Sequence, residues 1–71
     1  MSPETSINPN LSILRLQQVK AITGLSQSSI YALMTEGEFP ANVQLSKRRV
    51  GWISSEINEW IEQRITASRN Y

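Results

Sequence analysis

Cysteine and histidine are both absent from this chain of 71 residues. Without cysteine there is neither a disulfide nor a thiolate zinc site to staple a small fold. Without histidine the commonest general base near neutral pH and the commonest metal ligand are both missing. Serine is plentiful but has no histidine to activate it. Long apolar runs are lacking as well; none approaches the roughly 18 residues that cross a bilayer. The first ten residues, MSPETSINPN, are polar and carry Pro3 and Pro9, unlike a signal peptide. Glycine is sparse at 3, and none sits in a phosphate-cradling motif. The expectation is a cytoplasmic protein that is not an enzyme, with no cofactor, no metal and no membrane partner.

What is present fits one small domain. A chain this short buries only about 60% of the surface its unfolded form exposes, so its stability is marginal. Net charge is only +1, yet its distribution is uneven. No acid lies between Glu4 and Glu36, a stretch that holds Arg15 and Lys20. From Phe39 to Ser55 acids are again missing, and Lys47, Arg48 and Arg49 are consecutive. Glu56, Glu59 and Glu62 then gather in the next segment. Local charge rather than the total decides whether a polyanion can approach.

Residues 1–10 are expected to form a disordered tail, residues 11–67 the folded domain, and residues 68–71 a frayed end. LSILRL at 11–16 reads as a short strand or an extended lead-in. A first helix is expected from about Gln17 to Thr23, with Val19 and Ile22 as its buried pair. Gly24 stands where a left-handed cap is wanted. Ser26 is a good N-cap for a second helix, from about Gln27 to Glu36. Ile30, Leu33 and Met34 face its core side, and Ser28, Tyr31, Ala32 and Thr35 the other. Gly37 caps that helix, and Pro40 forbids continuation.

The apolar period then changes to two. Pairing Val43 with Trp52 and Leu45 with Val50 puts four apolar side chains on one face of a hairpin, with Ser46 to Arg49 as its loop. Ser54 or Ser55 caps a third helix reaching to about Ala67, whose apolar stripe is Ile57, Trp60, Ile61 and Ile65. The fold class is α+β: a small winged helix-turn-helix, three helices with a two- or three-stranded antiparallel sheet.

Two short helices about a glycine turn make a helix-turn-helix candidate. Its second helix would enter a major groove. Gln27 is the best base reader, because a carboxamide pairs bidentately with adenine. Ser26, Ser28 and Ser29 can donate to phosphates or bases, and the Tyr31 hydroxyl to a phosphate. The plain alternative is an αα-hairpin with a polar outer face. Lys47, Arg48 and Arg49 in a loop can fan across a phosphate backbone or a minor groove; alone they fit a solubilising, edge-protecting turn better. Directly after a helix-turn-helix they read as a wing, and double-stranded DNA becomes the expected partner. Trp52, Trp60 and Phe39 could stack on single-stranded bases, but their positions on apolar faces favour the core. Burying each tryptophan there stabilises by about 2–3 kcal/mol. Glu56, Glu59 and Glu62 share part of one helix face and read as a solvated acidic surface. A protein-interaction module that antagonises a regulator or an integrase is the rival class.

Four segments in order carry a resemblance: ILRLQQV, TGLSQSSIYALMTEGEFP, VQLSKRRVGW and SEINEWIEQR, spanning about residues 13–64. Together they resemble the AlpA family of prophage DNA-binding regulators, within the wider excisionase and MerR-like winged-helix group. The resemblance implies a winged-helix fold in which Ser26, Gln27, Ser28, Ser29 and Tyr31 read DNA while Lys47, Arg48 and Arg49 touch the backbone. It also implies transcription control of a mobile element, with excision beside an integrase as an extension. Many relatives carry glycine in the wing turn, where this chain has Ser46, and a base early in the second helix, where it has Gln and Ser. The mild charge leads to the expectation of action as a dimer or a cooperative row on repeated sites.

Overall fold

The computed structural model describes residues 12–69. Six elements follow one another: β1 (Ile13–Leu14), α1 (Leu16–Thr23), α2 (Gln27–Thr35), β2 (Val43–Ser46), β3 (Arg49–Ile53) and α3 (Ser54–Arg69). The three strands form one antiparallel sheet in the order β1-β3-β2. The architecture is therefore the expected α+β winged-helix-like one, with the lead-in at Ile13 contributing a third strand. The expected tail at 1–10 lies outside the described residues, as do Asn70 and Tyr71. Helix α3 continues through Ser68 to Arg69, two residues beyond its expected end.

The two short helices depend on their ends. At the start of α1, the Arg15 N–H donates to Gln18 Oε1 at 2.8 Å. At its close, Gly24 takes φ +75° and donates to the Lys20 carbonyl at 2.8 Å. Thr23 locks the turn: its hydroxyl donates to the Val19 carbonyl at 2.7 Å and accepts from the Leu25 N–H at 3.2 Å. Helix α2 begins at Ser26, whose Oγ accepts from the Ser29 N–H at 3.2 Å. It ends in a Schellman motif. Gly37, at φ +74°, donates to Met34 O at 3.0 Å, and Glu38 donates to Leu33 O at 2.8 Å.

Val19, Ile30, Phe39, Trp52 and Ile57 form the buried core, one each from α1, α2, the link before β2, β3 and α3. Leu14, Leu16, Leu25, Leu33, Met34, Val50, Trp60 and Ile61 pack around them. Both indole N–H groups are satisfied, as buried tryptophan requires: Trp52 donates to Pro40 O at 3.1 Å and Trp60 to Glu38 O at 2.8 Å. Among the described residues no buried side-chain polar atom lacks a partner. Strand β3 runs into α3 without a loop. Ser54 joins them by donating its N–H to Ser12 O at 2.8 Å, and the two hydroxyls also meet at 2.8 Å.

Three expectations are corrected. First, the hairpin register differs. Val43 pairs with Gly51, Gln44 with Val50 and Ser46 with Arg49, with an irregularity between Gln44 and Ser46. Leu45 is the extra residue of a β-bulge, so it turns out 45% exposed. The loop shrinks to Lys47 and Arg48, and Arg49 becomes the first residue of β3. Trp52 opposes Leu14 of β1 instead of Val43. Gly51 permits this arrangement: a Cβ there would collide with Ile13 Cγ2. Second, Ile22 is exposed at 49% while Val19 is buried. The body covers only one stripe of α1, and Leu25, just past the helix, packs against the core. Third, Ile65 is 46% exposed. The core ends at Ile61, and α3 projects beyond what a domain this size can cover.

Candidate nucleic-acid interface

The start of α2 is exposed from Ser26 through Ser29. The four side chains do not stand alike. The Ser26 hydroxyl donates to Ser29 Oγ at 3.0 Å while its oxygen caps the helix, so this pair is occupied with building the helix start. Gln27 and Ser28 keep their side-chain groups unengaged. Their backbone N–H groups also lack intrahelical acceptors, as the first N–H groups of any helix do. No acid stands in this first turn, so the positive end of the helix dipole is unopposed. Four neutral polar side chains and the free backbone donors of Gln27 and Ser28 are thus exposed around the start of one helix. Such a spot accepts a phosphate or the acceptor edge of a base.

Tyr31 lies one turn further along and is 36% exposed. Its ring rests edge-on against Trp52, with centroids 6.2 Å apart and planes at 68°. This contact ties α2 to β3. The rest of Tyr31 faces outward with Ala32 and Thr35, whose hydroxyl is turned back onto Tyr31 O at 3.0 Å. The expected outer face of α2 is therefore the exposed one, with Tyr31 also serving as a brace. Sequence reading missed the brace, because nothing local links residue 31 to a strand that much later in the chain.

Lys47 and Arg48 form the hairpin tip and Arg49 its first strand residue; all three are exposed. No non-glycine residue among those described has a positive φ, so the tip is not a primed turn. The bulge at Leu45 absorbs the twist that a primed turn would have supplied. From Trp52 to Arg49 is three residues, about 10 Å of strand. The basic tip and the outer face of α2 are thus tied to one strand at neighbouring points. None of the three bases has an ion-pair partner among the described residues, where the one salt bridge joins Arg64 to Glu38 at 3.9 Å.

Among the described residues no group of three or more His, Cys, Asp or Glu side chains could hold a metal ion. Among the described residues no helix is long and apolar enough to cross a membrane.

Comparison with known proteins matches residues 12–65 to the family described as Prophage CP4-57 regulatory protein (AlpA). A protein of Enterobacteria phage P4, named only as the uncharacterized ORF88, is 41% identical over 56 residues; the match covers 79% of this chain and 64% of that protein. The DNA-binding transcriptional activator AlpA of Escherichia coli strain K12 is 38% identical over 58 residues, covering 73% of this chain and 83% of the relative.

Proposed function

The chain belongs to the AlpA family of prophage regulatory proteins, and on that premise we propose that it is a transcriptional regulator that binds specific sites in double-stranded DNA. Helix α2 enters the major groove. Gln27 and Ser28 meet base edges, Ser26 and Ser29 hold the helix start in register and offer phosphate contacts, and Tyr31 donates to a phosphate. Lys47, Arg48 and Arg49 neutralise the flanking backbone. The observation that carries this reading is the exposed, unengaged polar start of α2, on a helix tied through Tyr31 to Trp52 of the strand that begins at Arg49. No catalytic step is assigned to any residue.

Anisotropy titrations of labelled duplexes test it. Arg48→Ala should weaken all duplexes alike and make the slope of log affinity against log salt shallower by about 0.9. Gln27→Ala should instead relax preference at one base, at a cost of about 1–3 kcal/mol on the preferred site. Absence of saturable duplex binding at low salt overturns the proposal.

Action on repeated sites, as a dimer or a cooperative row, follows from the small net charge of +1, which limits what one copy gains from the backbone. Sedimentation on a multi-site duplex should show several copies per fragment. A place in prophage excision beside an integrase extends the same DNA reading. One observation favours a different reading, a module that antagonises a regulator or an integrase: Glu56, Glu59 and Glu62 are all exposed on α3. That reading prevails if reversing those charges abolishes regulation while the three hairpin bases prove dispensable.

A further inference from the structure

A groove of about 920 Å³ opens between the chain that links α2 to β2 and the flank of α3. Its apolar lining comes from Phe39, Val43, Ile53 and Trp60, and Glu56 and Glu59 stand along it. Phe39 and Trp60 pack edge to face, with centroids 4.8 Å apart. The cation of the groove, Arg64, is already engaged. It lies 4.8 Å over the Trp60 ring and pairs with Glu38 at 3.9 Å. Glu56 and Glu59 have no ion-pair partner among the described residues. The groove is therefore an apolar trough with two uncompensated negative charges, and no residue of α2 or of the hairpin tip lines it.

We propose that this groove docks a Lys- and Arg-bearing amphipathic segment of a second protein. A nucleic acid is repelled by the two carboxylates, whereas a cationic segment gains from both parts of the lining. Long basic side chains lay their methylene stems on apolar surface and carry the charged head to its edge. Here the stems would lie on Val43, Ile53 and the half-buried edge of Trp60, and the heads would reach Glu56 and Glu59. The docking surface goes beyond DNA reading and does not depend on it. Because the two surfaces share no residue, both can be occupied together.

The test uses the full chain and a fluorescein-labelled amphipathic peptide of Lys, Arg and Leu as the probe. Saturable binding is expected, with amide shifts gathered at Ile53, Glu59 and Trp60. The double variant E56Q/E59Q should weaken the peptide by about tenfold, two exposed charge contacts being removed. E36Q, which removes a carboxylate outside the groove, and R48A should leave it unchanged. Equal weakening by E36Q would reduce the effect to general attraction and overturn the proposal, as would no binding at all. Self-association that is lost in E56Q/E59Q would make a second copy the occupant and also overturn it. Duplex titration of E56Q/E59Q reports separately on the DNA reading, which this variant should leave intact.

Discussion

Helix α2 is 9 residues long and carries no charge, whereas α3 is 16 residues long and holds Glu56, Glu59, Glu62, Arg64 and Arg69. Both pack against the same core, α2 through Ile30 and α3 through Ile57. A helix as short as α2 is marginal alone, so it is fastened at both ends, by Ser26 and by the Schellman turn at Gly37. Helix α3 starts directly from a strand, outruns the core, and is free to carry charge along its exposed sides. The difference bears on recognition. A helix that must lie against a polyanion gains from having no carboxylate, and neutral amide and hydroxyl groups read base edges without adding indiscriminate attraction. In the proposed reading the hairpin bases supply the positive charge, while Glu56, Glu59 and Glu62 stand on α3.

The widest separation between the two helices is expected in stability, at isoleucines that look alike in sequence. Ile30 is fully buried and Ile65 is 46% exposed. Ile30→Ala should cost about 2–5 kcal/mol, enough to unfold much of the population of a small domain. Ile65→Ala should cost less than about 0.5 kcal/mol. Urea or thermal melts of the two variants decide it. Equal losses would mean that the end of α3 is covered in a way the fold described here does not contain.

A smaller effect separates charge from stability. Ser28 stands in the first turn of α2, where a carboxylate complements the helix dipole. Ser28→Glu should therefore melt no lower than the natural protein, yet bind duplex DNA at least about tenfold more weakly, a difference of about 1.4 kcal/mol. Glu62→Gln on α3 should change duplex affinity by less than about twofold. Similar responses at the two positions would erase the assignment of the DNA contact to α2 and not to α3.

Much of this arrangement is legible in the chain itself, where local chemistry decides. Gly24, Ser26 and Gly37 mark the helix ends because positive φ and an N-terminal hydroxyl acceptor are demanded at single positions. The order of elements follows from the change of apolar period after Pro40. The errors arise where a distant residue decides. The hairpin register depends on Leu14 claiming Trp52 and on Ile13 lying over Gly51, contacts that no period within residues 43–52 encodes. Alternation alone pairs Val43 with Trp52, whereas the bulge at Leu45 leaves Ser46 opposite Arg49 and shifts the partners of Val43 and Gln44 by one. Ile22 and Ile65 satisfy helical spacing but fall beyond the area that five buried core residues can cover. The candidate DNA-reading residues were legible as exposed polar and basic side chains. The Tyr31–Trp52 brace, and the division of the four N-terminal side chains into two that build and two that are unengaged, needed the folded geometry.

The smallest effect tests that division at Ser26, which both caps α2 and faces outward. Ser26→Ala removes the acceptor of the Ser29 N–H and should cost about 1 kcal/mol, or about 4–8 °C in Tm for a domain of this size. Ser26→Asp restores an acceptor at the same point and adds a negative charge, so it should recover the melting temperature while lowering duplex affinity. If the serine merely shapes the helix, the two variants will rank the same way in both assays. Opposite rankings in the melt and in the titration mean that the residue which starts α2 also lies against the nucleic acid, and that the uncharged character of this helix serves recognition as well as folding.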